Sequence, residues 1–136
     1  MNSTKATKAG LDVILDTNFL IDLFRFKLSF DDIEDVAGGR CTFLIAWQSV
    51  DELKRIKNKY AKVGLSFIDM GKIRAVSAPG RTADDAIMAL LKGAKKKKVI
   101  KKTAVATNDA KLRKRIKALD VRVIYLRARK HLEIIN

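Results

Sequence analysis

Acidic residues stand at four similar places in this sequence, each at or just after the end of an apolar segment. Asp16 follows Val13-Ile14-Leu15, Asp85 and Asp109 follow two later β-prone segments, and Glu52 begins the helix after another. Ligands of parallel α/β sheets bind in the crevice beyond the carboxyl ends of the strands, so we expect these four carboxylates to meet there. Gathered carboxylates repel one another unless a cation compensates their charge. The pattern therefore predicts a divalent-metal site.

The ligand types favour a hard metal ion. The chain has one cysteine, Cys41, and one histidine, His131, which excludes an intramolecular disulfide and a cysteine-rich zinc site. Mg²⁺ or Mn²⁺ suits an all-oxygen site, because both prefer roughly octahedral coordination and keep open positions for water. Such an ion could supply a water nucleophile and hold a scissile phosphate, so the predicted reaction is phosphodiester hydrolysis.

Purely structural roles explain some of these acids when each is considered alone. Glu52 could favour the positive end of its helix or pair with Arg55. Asp85 stands three residues after Thr82, as in a capping box. A cap does not explain why Asp84 precedes Asp85 ahead of an Ala- and Leu-rich helix, since one of the two must face the core or a cleft, where an unpaired charge is expensive.

Hydrophobic periodicity supplies the elements that would position these residues. It predicts strands over 13–15 (preceded by Leu11), 41–47, 73–78, 103–107 and 121–126. It predicts helices over 18–26 with Asn18 as the cap, over 29–36, 48–59 and 60–69, from Thr82 onward, and over 111–117. This order indicates one α/β domain over residues 11–136, with a parallel central sheet and helices on both faces. Residues 1–10 are expected to be a flexible N-terminal extension, and residues 127–136 a basic C-terminal extension.

The charge distribution indicates a polyanionic partner. The formal net charge is +14, and residues 92–130 carry all of it, with 16 Lys and Arg against Asp109 and Asp120. Nucleic acid is the usual partner of such a segment, and the alternative is a solubilising lysine-rich surface or a flexible tail. No apolar segment approaches the roughly 18 residues of a membrane span, and no secretory signal is visible. We therefore expect a soluble, cytoplasmic protein without a membrane partner.

Four short motifs together resemble the acidic motifs of PIN-domain ribonucleases, in order and at comparable spacing. They are Leu15-Asp16-Thr17-Asn18, Val50-Asp51-Glu52-Leu53, Ala83-Asp84-Asp85-Ala86-Ile87 and Ala106-Thr107-Asn108-Asp109. Each motif is weak alone, and the specificity lies in their combination, which extends over residues 11–126. The resemblance implies a Rossmann-like PIN fold, Mg²⁺- or Mn²⁺-dependent endoribonuclease activity and a homodimer.

The resemblance also implies roles for individual residues. By motif matching, the catalytic and metal-binding acids are Asp16, Glu52, Asp85 and Asp109, with Asp84 as an alternative principal ligand to Asp85. Three polar residues would orient the carboxylates or waters: Thr17, Asn18 and Thr107.

The biological role is open between two branches of this family. Residues 83–126 resemble PIN nucleases that process small-subunit ribosomal RNA, which would imply a ribosome-assembly partner. The length and bare single-domain layout equally resemble the ribonuclease toxin of a type II toxin–antitoxin pair, which would imply an antitoxin partner.

Two other classes of protein stay open. A receiver-type phosphoryl-transfer domain also gathers aspartates around Mg²⁺, but it needs a lysine at a strand end and has no use for a +14 segment. A non-catalytic RNA-binding module would leave the four acids unexplained.

Overall fold

Short apolar segments alternate with amphipathic helices, and the computed structural model, which describes residues 10–136, pairs those segments into one six-stranded sheet. The strands are β1 (Leu11–Leu15), β2 (Cys41–Ala46), β3 (Arg74–Val76), β4 (Thr103–Ala106), β5 (Arg122–Arg127) and β6 (His131–Ile135). The helices of the described residues are α1 (Thr17–Arg25), α2 (Phe30–Ala37), α3 (Trp47–Arg55), α4 (Lys59–Asp69), α5 (Ala83–Lys96) and α6 (Ala110–Lys117), with a short 3-10 helix at Ile100–Lys102.

The strand order is β3-β2-β1-β4-β5-β6, with β1 to β5 parallel and β6 antiparallel to β5. The chain moves outward from β1 in one direction and later returns to continue from β1 in the other. Doubly wound sheets bind their ligands at the carboxyl ends of the two strands where the direction reverses. Here those strands are β1 and β4, which pair through Leu15 and Ala106.

The two faces of the sheet carry separate cores. Val13 and Leu15 of β1 pack with buried residues of α1, α3 and α4 on one face, while Ile14 packs with α5 and α6 residues such as Ile87 and Ile116 on the other. This alternation follows the two-residue period of a strand. The prediction of a parallel sheet with helices on both faces is confirmed.

The predicted order of strands and helices up to residue 126 agrees with the structure, although several boundaries differ. Trp47, predicted to end the second strand, instead begins α3. Asn18 does not cap the first helix, because Asp16 has the extended backbone of an N-cap and its side chain accepts a hydrogen bond from the Thr17 N–H. The first acid of the predicted metal site is therefore also a helix cap.

The C-terminal residues differ most from the expectation of a basic extension. His131 to Ile135 forms β6, which pairs antiparallel with β5 from Arg127 to Val123. Leu132 is buried in the core and Ile134 packs against the same core, which accounts for the apolar side chains of this strand.

The remaining expectations concern the first residues and membranes. The flexible extension expected over residues 1–10 lies, apart from Gly10, outside the described residues. Across residues 10–136, the structure contains no helix with the length and apolar character needed to span a membrane.

Candidate active site

Asp16 lies at the centre of the site because the sheet holds it there. Its backbone N–H donates to the Ala106 carbonyl at 3.0 Å, and the Thr107 N–H donates to the Ile124 carbonyl, so the parallel ladder continues beyond the strands. The side chain of Asp16 is only 6% exposed. Its Oδ2 accepts a hydrogen bond from Thr107 Oγ1 at 2.8 Å. The backbone and the side chain of Asp16 are thus both fixed by β4 or the residue that follows it.

Glu52 reaches the same crevice from α3. Thr17 Oγ1 donates to Glu52 Oε1 at 2.5 Å, across 35 residues of sequence. Thr17 directly follows Asp16, so this hydrogen bond ties the second acid to the first. Thr17 and Thr107 make the carboxylate contacts that the resemblance implied, whereas Asn18 is exposed on the first turn of α1.

The adjacent acids Asp84 and Asp85 point to different surroundings. Asp84 is half-buried, and repulsion from Asp84 contributes to the raised pKa of Asp16. Asp85 is on the outer surface, with its side chain 54% exposed and 4.0 Å from Arg115. Its N–H donates to the Thr82 side chain, as the predicted cap requires. The geometry therefore favours Asp84 over Asp85 as the acid that faces Asp16.

The loop before α5 packs closely against the start of that helix. Gly80 has a φ of +131°, and a Cβ built on it would lie 2.8 Å from the Asp85 Cβ and 3.0 Å from the Ala86 N, so a larger residue would clash there. Gln48 holds the loop in place, since its Nε2 donates to the carbonyls of Ala78 and Gly80 at 2.7 and 2.8 Å.

Asp109 completes the acidic group at the start of α6. Its Oδ1 accepts hydrogen bonds from the N–H groups of Lys111 and Leu112, which makes it the N-cap of that helix. It is exposed, yet it lies near enough to Asp84 to raise the pKa of that carboxyl. Asp109 therefore serves both as a helix cap and as a member of the acidic cluster.

Burial and mutual repulsion shape the electrostatics of the site. The pKa of Asp16 is raised from its usual 3.8 to about 6, chiefly by burial and also by repulsion from Asp84 and Glu52, while the hydrogen bonds from Thr107 and the Thr17 N–H act to lower it. Burial is also the main cause of the raised pKa of Asp84, with Asp109 next. Among the described residues, Asp16 has no Lys, Arg or His side chain within ion-pair distance. No cationic side chain of residues 10–136 therefore compensates its charge.

The acidic side chains suit the expected metal in chemistry, although they do not form a closed cage. Within residues 10–136, no three Asp, Glu, His or Cys side chains are arranged to hold an ion together. Asp16 is nonetheless a buried, unpaired carboxylate with further carboxylates beside it. Mg²⁺ is often held by only one or two carboxylates, with water and substrate phosphate as its other ligands. The donor set therefore fits such an ion.

Sequence reasoning missed two residues that position the site. Gln48 has no visible signal in the sequence, because its role depends on a loop 30 residues away. Asn108 lies inside the fourth acidic motif, and its side chain joins two elements. Its Nδ2 donates to Asp22 at 3.1 Å, and its Oδ1 accepts from the Leu126 N–H at 2.8 Å. Asn108 thereby ties α1 to β5 and fixes the turn that carries Asp109.

A cleft of about 430 Å³ opens beside Asn108. Its lining includes Asp22, Arg25, Phe26 and Arg129. The Arg129 guanidinium lies over the Phe26 ring, 5.8 Å from its centre. The carboxyl end of the sheet thus combines the acids with cationic side chains suited to phosphates.

The receiver-type alternative fails at the strand ends. The residues that directly follow β1 to β5 are Asp16, Trp47, Ser77, Thr107 and Ala128. None of these is the lysine that a receiver-type domain requires.

Comparison with known proteins gives three findings. The family model described as a PIN like domain matches residues 13–129. Ribonuclease VapC4 of Methanocaldococcus jannaschii is 30% identical over 131 residues, which cover 90% of this chain and 95% of that protein. The structure of the PIN domain endonuclease Utp24 is similar with a TM-score of 0.74 at 21% identity, covering 90% of each chain, and this likeness concerns the fold.

Proposed function

The chain belongs to the PIN-like domain family, and from that premise we propose that it is a metal-dependent endoribonuclease. One observation carries the proposal: Asp16 is buried at the switch point of the sheet, held by Thr107, flanked by other acids and without a cationic partner among residues 10–136. A structural carboxylate in that position would be expensive, whereas a site for a cation explains it. The relative named as a ribonuclease supports the same chemistry.

We propose that four acids hold Mg²⁺ or Mn²⁺: Asp16, Glu52, Asp84 and Asp109. Asp85 is an exposed neighbour of this site that faces Arg115. A bound divalent cation supplies Lewis-acid chemistry, since it offsets charge on the phosphodiester and makes water a better nucleophile at neutral pH. The protein's own contribution is orientation. Thr107 and Thr17 fix the Asp16 and Glu52 carboxylates.

Basic residues at the same end of the sheet would position the RNA backbone. Lys111 lies on the first turn of α6, directly after Asp109 and Ala110, and Arg129 lies on the turn between β5 and β6. Lys and Arg hold phosphates without reading bases. Cutting would therefore depend more on RNA shape and accessibility than on long base sequences.

The test is cleavage of a labelled structured RNA with Mn²⁺, with Mg²⁺ and with EDTA, by wild type and by Asp16→Asn. We expect metal-dependent cutting that Asp16→Asn lowers by more than about 100-fold, since even an outer partner of a metal ligand is worth roughly 10- to 100-fold. Asp12→Asn is the matched control, because Asp12 lies near the amino end of the same strand. Cutting that survives EDTA or Asp16→Asn would overturn the proposal, and RNA binding without cutting would favour a non-catalytic module.

For the biological role we propose ribosomal RNA processing, and the second candidate is a toxin of a toxin–antitoxin pair. The support for the first is the resemblance across residues 83–126, and for the second the single-domain layout. Inducing expression of the chain in growing cells separates the two roles. Ribosomal RNA precursors cut at one defined position support processing, whereas growth arrest that the product of an adjacent gene relieves supports a toxin. The homodimer implied by the resemblance is a further proposal, checked by light scattering during gel filtration.

A further inference from the structure

Seven lysines cluster at the end of the sheet opposite the acids. They are Lys92, Lys95, Lys96, Lys97, Lys98, Lys101 and Lys102, hereafter the lysine end, and all seven are exposed. They come from the last two turns of α5, the turn that follows, and the 3-10 helix before β4.

The direction of α5 and β4 sets the separation between the two ends. Helix α5 begins beside Asp84 and runs for 14 residues, so its last turn lies roughly 20 Å away at 1.5 Å per residue. Strand β4 then returns from Thr103 toward Thr107. The lysine end therefore lies at the amino ends of the strands, too far from Asp16 for these lysines to touch a phosphate at the catalytic centre.

Within the described part of the chain, no ion pair neutralises the charge of the lysine end. Among residues 10–136, none of the seven lysines has a carboxylate within 4.0 Å. By contrast, Arg115 in α6 and Arg127 at the end of β5 face Asp85 and Glu133. A helix C-terminus favours cations only within its last turn, so the helix dipole does not account for Lys101 and Lys102.

We propose that the lysine end is a second surface for RNA phosphates, separate from the active site, so that the enzyme prefers RNA long enough to contact both. This inference rests on RNA being the substrate, as proposed above. Lysine is a point charge suited to phosphates and is depleted at the centres of protein–protein interfaces, which favours RNA over an acidic protein. A span of roughly 20 Å corresponds to about six stacked nucleotides at about 3.4 Å each, and the path around the protein is longer.

The test compares two variants with the same change in charge. The first replaces Lys95, Lys96, Lys97 and Lys98 of the lysine end with Gln. The matched control replaces Lys54, Arg55, Lys57 and Lys62 with Gln, all exposed residues of α3, α4 and their connection. Each set is measured for binding in the Asp16→Asn background, which needs no cleavage, and for cutting in the wild-type background, with RNAs of about 30 and about 3 nucleotides, the second too short to span roughly 20 Å.

For the longer RNA, we expect the lysine-end variant to flatten the log–log dependence of affinity on salt by about 0.7 per lost contact, and to weaken binding about tenfold at low salt. Binding and cutting of the shorter RNA should be unchanged, and the control should match the parent with both RNAs. An unchanged slope with the long RNA, an equal loss with the short RNA, or an equal loss in the control would each overturn the proposal. If the lysine-end variant shows the flatter salt dependence but the wild-type protein cuts no RNA, the proposed nuclease activity is contradicted and the second RNA surface is supported.

Discussion

The two ends of the central sheet carry opposite charges in opposite physical states. At the carboxyl end, Asp16 is buried, hydrogen-bonded to Thr107 and pushed toward protonation by burial and its acidic neighbours. At the lysine end, the charged side chains are exposed and without carboxylate partners among the described residues. A buried charge lowers the stability of the fold and an exposed one hardly affects it. The buried carboxylate of Asp16 therefore needs a cationic ligand to be stable in its charged form. The exposed lysines are stable without a ligand and are accessible to one.

The sharpest test of this contrast separates the adjacent acids of α5. Asp84→Asn should lower metal-dependent cleavage by more than about 100-fold, because Asp84 faces Asp16 and the other acids. Asp85→Asn should change it less than about tenfold, because an exposed ion pair at 4.0 Å contributes little. Both rates come from single-turnover cleavage at saturating metal. Equal losses, or a larger loss in Asp85→Asn, would reverse the assignment.

A smaller effect is expected from Thr107, which touches Asp16 and no solvent. Thr107→Val keeps the volume of the side chain but removes the hydrogen bond that lowers the pKa of Asp16. Cleavage should fall roughly 10- to 100-fold, and its rise with pH should move to higher pH. Thr107→Ser keeps the hydroxyl and should retain the wild-type pH profile. A uniform loss in Thr107→Val without a shifted profile would point to misfolding instead.

The stability of the acidic end should depend on pH and on metal. Burial raises the pKa of Asp16 from 3.8 to about 6, so the folded protein holds this proton more tightly than the unfolded chain does. Without metal, stability should fall as the pH rises from about 4 to about 6. At neutral pH, Asp16→Asn should then unfold with a free energy about 1–3 kcal/mol higher than wild type.

Denaturant melts at about pH 4 and about pH 7, with Mn²⁺ and with EDTA, measure this effect. Asn also caps helices well, so the substitution preserves the start of α1. The higher free energy of unfolding of Asp16→Asn should disappear at about pH 4. Mn²⁺ should stabilise wild type but not Asp16→Asn. A destabilised Asp16→Asn at neutral pH in EDTA would show that the aspartate serves the fold.

The smallest effect is expected at the lysine end. Lys96→Gln should change the free energy of unfolding by less than about 0.5 kcal/mol, because Lys96 is exposed and lacks a carboxylate partner among the described residues. Thermal melts at low and at high salt, about 20 and about 500 mM, measure it. A loss of about 1 kcal/mol or more at low salt would mean that the lysines stabilise α5, which would remove the contrast between the two ends.

The strands β1 to β5 could be predicted from the sequence because each is a short, largely apolar segment, and this holds without knowledge of its neighbours. The C-terminal strand β6 could not, since basic residues directly precede it, and Ile134 and Ile135 pack against opposite cores only where β6 pairs with β5. Asp16 as a helix cap was missed for a related reason. A carboxylate at a strand end can serve as a helix cap and as a metal ligand, and the residue type alone does not show which of these it does.

The sequence by itself determined the α/β class and the positions of the acids, and it predicted an oxygen-ligated metal, because period, residue type and ligand chemistry are local properties. Only the tertiary structure decided that Asp84 is half-buried and close enough to Asp16 to raise the pKa of that carboxyl, while Asp85 is exposed. It also divided the basic segment between both ends of the sheet. Lys102 and Thr107 flank β4 in the chain, yet they lie at opposite ends of the sheet, because a strand extends about 3.3 Å per residue.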